Sequence, residues 1–154
     1  MQGSALGHFM RESGPWTYAI VNLAHVLGIA TLFGAILVLD LRLIGVGRRL
    51  PLAAISSAVV PVATTGFLIA ATTGLGLLVT KTTEYVGNPF LLIKFPAIGL
   101  GLINVAVLKS TRAWKAHQER ELAPDEQRLL AILGGLSLLC WLTAITAGRM
   151  IAYW

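Results

Sequence analysis

The run from Trp16 to Gly45, WTYAIVNLAHVLGIATLFGAILVLDLRLIG, leaves the chain few ways to fold. Between Tyr18 and Asp40 only one side chain, His25, can carry a charge. About 20 apolar residues rising 1.5 Å each match a hydrocarbon core of roughly 30 Å. Trp16 and Tyr18 open the run as interfacial aromatics do, and Asp40 and Arg42 close it with charges that reach headgroups and water. The spacing predicts a membrane-spanning helix over residues 16–43.

The rest of the chain agrees. Of its 154 residues 56% are hydrophobic and 12% charged, about half the charged share of an average soluble domain. Too little polar surface remains to cover a soluble globule. The net charge of +5 does not point to nucleic acid, because the basic residues sit in short segments between apolar runs, where they read as topology signals. The one cysteine, Cys140, lies in an apolar run beside Trp141 and reads as a small packing residue. The first 15 residues lack the basic start and apolar core of a cleavable signal, so the first helix is expected to be a retained insertion signal.

Four apolar segments follow one another with no soluble domain between them, which predicts one all-α, integral-membrane four-helix bundle over residues 1–154. The second segment, residues 52–80, contains Pro61. Leu52–Val60 is therefore expected either to lie at the interface or to form the first part of a kinked, tilted helix. The third, 89–108, opens on Asn88-Pro89 and is expected to run on into the charged stretch Lys109–Arg128. The fourth, 126–154, is started by Pro124-Asp125-Glu126, with acidic residues in the first turn.

Eight of the 12 basic residues flank the first and third connections: Arg42, Arg48 and Arg49, then Lys109, Arg112, Lys115, Arg120 and Arg128. The positive-inside rule places these in the cytoplasm and both termini outside. Asp40 is expected at the inner interface, paired to Lys109 or Arg112. His8 and His117 fall in polar segments and are expected on the solvated surface.

In the second segment Gly66, Ala70 and Gly74 recur every four residues, a small-residue stripe of the kind that lets helices approach closely. The same residues could line a cofactor. Asn104 reads as an interhelical hydrogen-bonding group.

Three costly side chains are expected in the outer half of the bundle. His25 lies nine residues after Trp16, roughly 14 Å in, while Lys94 and Arg149 lie five residues from Pro89 and from the C-terminus, roughly 8 Å in. The nearest carboxylate toward that side is Glu84, in a loop. Two cations above an imidazole suggest an anionic ligand. His25 could hydrogen-bond a threonine of the second helix, or ligate haem iron, copper or zinc. Gly28, one turn on, would leave room beside the ring for a flat macrocycle. Lys94 and Arg149 could hold its carboxylates, or simply snorkel to headgroups.

The series Trp16-x-Tyr18, His25-x-x-Gly28, Gly34-x5-Asp40-Leu-Arg-Leu, Asn88-Pro-Phe-x3-Lys94, Asn104 and Gly148-Arg149-x-Ile-Ala-Tyr153 resembles a family of small bacterial inner-membrane proteins with four helices. The resemblance spans most of the chain and implies that fold and location, with no particular activity. More distantly the chain is similar to the copper-resistance protein D family and to membrane b-type cytochromes. It departs from both in having one intramembrane histidine and one methionine, Met150, in a span. Three functions are then expected to compete. The first is a haem b-binding electron-transfer or membrane-anchor subunit with His25, Gly28, Lys94 and Arg149 at the cofactor. The second is copper handling or small-solute permeation, and the third a non-catalytic accessory subunit. The expected partners are the lipid bilayer and either a second copy or a larger membrane complex.

Overall fold

The computed structural model describes residues 15–80 and 87–153. These residues form helices α1 (Pro15–Ile44), α2 (Leu52–Thr80), α3 (Pro89–Ser110), a short α4 (Arg112–Ala116) and α5 (Pro124–Met150), which ends in a 3-10 turn (Ile151–Tyr153). No strand occurs among the described residues. Four helices, over Trp16–Ile44, Leu52–Val79, Pro89–Ser110 and Pro124–Met150, are long and apolar enough to cross a membrane. Large apolar side chains stand open along them, Leu92 at 78% and Leu75 at 62% exposure, as lipid-facing residues do. The chain is a small, all-α, polytopic membrane protein.

Both prolines within spans are accommodated. α2 is continuous through Pro61 and α3 through Pro96. Leu52–Val60 is therefore the first part of the spanning helix and not a separate interfacial segment. Each proline removes one backbone hydrogen bond, from the carbonyl four residues earlier, Ser57 for Pro61 and Leu92 for Pro96.

The helical hydrogen bonding of α3 ends at Ser110 instead of running through the charged stretch. Thr111 takes an extended conformation and its hydroxyl accepts the Trp114 N–H, starting α4. At the start of α5, Glu126 reaches back to accept the Ala123 N–H (2.9 Å) and pairs with Arg120 (2.7 Å).

The described residues pack as two compact units. The first comprises residues from Met1–Gly34 and Pro61–Asn88, the second residues from Ala35–Val60 and Pro89–Trp154. In the first, α1 and α2 meet backbone to backbone. A Cβ on Gly66 would come within 2.5 Å of the Leu32 nitrogen, and one on Gly28 within 2.7 Å of the Ala70 nitrogen. With Ala70 buried and Gly74 against His25, the expected small-residue stripe of α2 is its packing face on α1.

In the second unit, Leu39, Leu43, Leu52, Leu108, Leu130 and Leu133 form a core beside Ala113. α3 lies along α5, where Gly101 lets the Trp141 ring approach to 3.3 Å of a would-be Cβ. The turn from α1 to α2 uses Gly45 at φ +114°, with the Val46 N–H bonded to the Leu41 carbonyl (2.8 Å). Arg42 closes that turn through the Leu50 carbonyl (2.8 Å). This turn and the α4–α5 connection line one cleft, so Arg42, Arg48, Arg49 and Arg120 share one end of the unit.

Candidate functional site

His25 sits on the α2-facing stripe of α1, in register with Gly28 and Leu32. Its Nδ1 is 2.9 Å from the Ala70 carbonyl and 3.1 Å from Thr73 Oγ1. A carbonyl only accepts, so Nδ1 carries the proton, and in the neutral ring the lone pair falls on Nε2. Gly74 supplies the space for this ring: a Cβ there would stand 2.8 Å from Cε1. The expected bond to a threonine of the second helix is present, with a main-chain acceptor beside it that no sequence pattern could indicate.

Gly28 does something other than clear room for a macrocycle. The space on its α-carbon is filled by α2, with the Ala70 nitrogen at 2.7 Å and Ile69 Cγ2 at 3.0 Å from a would-be Cβ. Close helix packing uses up the clearance that glycine offers.

Lys94 and Arg149 belong to the second unit. The Lys94 stem lies along α5, its Cε and Nζ each 3.5 Å from where a Gly148 Cβ would be. Arg149, the next residue, bonds the Tyr153 hydroxyl (2.6 Å) and stacks over its ring at 4.8 Å. The structure thus brings Lys94 to the Gly148–Arg149 turn. His25 is held in the first unit by α2. Glu84 and His8 lie outside the described residues.

Two expectations are corrected. Asp40 is not ion-paired at an interface: it is 2% exposed, and the only salt bridge among the described residues is Arg120–Glu126. Its carboxyl is hydrogen-bonded by Ser137 of α5. His117 is not solvated either. It is buried, with Nε2 2.8 Å from Ser56 Oγ, and Nδ1 donating to the Trp114 carbonyl. The break after Ser110 turns α4 back over the start of α2 and carries His117 inward. The polar composition of Lys109–Arg128 gave no sign of this.

Asp40 did leave a signal in the sequence. Leu32, Ala35, Ile36, Leu39, Asp40 and Leu43 are all buried and recur at intervals of three and four, so Asp40 lies on an inward stripe. Asn104, expected between helices, donates from Nδ2 to the Leu133 carbonyl (2.9 Å). No group of three or more His, Cys, Asp or Glu able to hold a metal occurs among the described residues. No family model, curated protein or solved structure matches the chain.

Proposed function

We propose that this small polytopic membrane protein is a haem b-binding subunit of the electron-transfer or membrane-anchor type, with Nε2 of His25 as an iron ligand. The reading is carried by one observation, the bond from His25 Nδ1 to the Ala70 carbonyl. Ligating imidazoles characteristically donate their second ring N–H to a carbonyl or carboxylate, which fixes the tautomer and orients the ring. The Nε2 lone pair is the form that iron requires. Haem bound in this way would supply one-electron chemistry. The chain's own part is to set the imidazole through Ala70, Thr73 and Gly74 and to keep it within apolar helices. Gly28 has no place in the site, since its clearance serves α2.

The test is a visible spectrum with metal analysis of the purified protein. A Soret band that His25→Ala removes is the expected result. Stoichiometric copper without such a band would move the reading to copper handling. Neither haem nor copper would end it, leaving His25 as a fastening between α1 and α2.

A further inference from the structure

The second unit contains a buried polar site that the haem reading does not use. Asp40 of α1, Asn104 of α3 and Ser137 of α5 are 2%, 4% and 5% exposed. They meet on one turn of α5. Ser137 bonds the Asp40 carboxyl, and Asn104 Nδ2 donates to Leu133. Leu133 and Ser137 are four residues apart and so lie one above the other on the same helix face.

The donors and acceptors there do not balance. Asn104 Nδ2 gives one of its two N–H groups to the Leu133 carbonyl, and neither reaches Asp40 Oδ2. Asn104 Oδ1 and Asp40 Oδ2 both lack a hydrogen-bond partner among the described residues. A buried acceptor without a donor is destabilising, and an uncompensated buried carboxylate is more so.

The surrounding charges do not supply the missing donor. Arg42 on α1 is bonded to the Leu50 and Arg48 carbonyls. Lys109 of α3, Arg112 of α4 and Arg128 of α5 are exposed, and none forms an ion pair with Asp40. On α2, Ser56 is taken by His117, and Cys140 lies buried a turn beyond Ser137 on α5. A calcium-like ion takes about 6–8 oxygens, far more than this site offers. One proton removes the larger cost: placed on Oδ2, it turns an uncompensated buried carboxylate into a neutral acid, while Ser137 continues to donate to the other carboxyl oxygen.

We propose that Asp40, with Asn104 and Ser137, is an intramembrane proton-binding site in which the carboxyl holds an exchangeable proton. Loss of that proton to a water molecule leaves a carboxylate with Ser137 as its donor. The site therefore has a loaded and an unloaded state that differ by one charge.

The chain has two aspartates, Asp40 and Asp125, so carboxyl-13C-aspartate labelling of the full protein in lipid nanodiscs gives two lines to read. Asp125→Asn, at an exposed position, leaves the Asp40 line alone for assignment without disturbing the core. At neutral pH the Asp40 line should stand at the carboxylic-acid position, move to the carboxylate position on alkalinisation, and ignore added sodium or potassium chloride. Asp40→Asn should remove the line and keep the wild-type melting temperature, because its amide is neutral and keeps an oxygen for Ser137, as the acid does. A carboxylate line at neutral pH, or a line that responds to either salt at fixed pH, would overturn the proposal.

Discussion

The imidazole of His25 lies across the α-carbon of Gly74: a Cβ added there would stand 2.8 Å from Cε1 and 3.3 Å from Nδ1. The ring can bond Ala70 and Thr73 only because residue 74 has no side chain. Gly74→Ala should displace it, at an overpacking cost of about 1–3 kcal/mol. A lowered melting temperature in detergent is the expected readout, and an unchanged one would mean that the ring is free to move aside.

Gly66→Ala should cost more than Gly74→Ala. Its new Cβ would meet the Leu32 backbone nitrogen at 2.5 Å, and a backbone cannot rotate away as an imidazole can. Gly135→Ala is the control. Nothing lies within 4 Å of that position, and exchanging a mid-helix glycine for alanine there should stabilise by about 0.5–1 kcal/mol. Thermal unfolding of the three variants should rank Gly135→Ala highest and Gly66→Ala lowest.

Removal of either partner of the Ser56–His117 contact should destabilise the second unit. The bond is buried at 2.8 Å, so Ser56→Ala leaves His117 Nε2 unmet at roughly 1–3 kcal/mol, whereas after His117→Ala the hydroxyl keeps the Ala53 carbonyl (3.1 Å) and the loss is smaller. In a double-mutant cycle, Ser56→Ala combined with His117→Ala should cost clearly less than the two single changes added together. Simple additivity would show that the two side chains act independently.

Glu126 has two jobs at the start of α5, a bond from the Ala123 N–H and a pair with Arg120. Glu126→Gln keeps an oxygen for the first and loses the charge for the second. It should therefore be milder than Glu126→Ala. The wild-type advantage over Glu126→Gln should shrink in high salt, since the Arg120 end of the pair is 53% exposed. Melting temperatures at low and high ionic strength would decide it.

The expected orientation is open to test at the eight basic residues around the first and third connections, of which Arg42, Arg48, Arg49 and Arg120 line one cleft. A reporter active only in the cytoplasm should be silent at the C-terminus and active when inserted within Gly45–Arg49. Activity at the C-terminus would reverse the topology.

The order of residues sufficed for the membrane class, the four spanning segments, the start of α5 and the packing stripe of α2. Each follows from a local property: the length of an apolar run, an acidic first turn after proline, or glycines repeating every four residues. It also marked His25 and Asn104 as interhelical, because polar groups in lipid need partners. Which partners those were depended on how the helices pack. Whether Gly28 would face a ligand or Ala70 depended on how closely α1 and α2 approach. Whether Asp40 would reach Lys109 or sink onto Ser137 depended on the rotation of α1 in the core formed with α3 and α5. His117 was decided by the break at Thr111, a capping hydroxyl within a stretch whose charge pattern reads as solvated helix. Burial of polar groups depends on which faces meet, and a one-dimensional pattern gives each helix's face without saying what lies opposite.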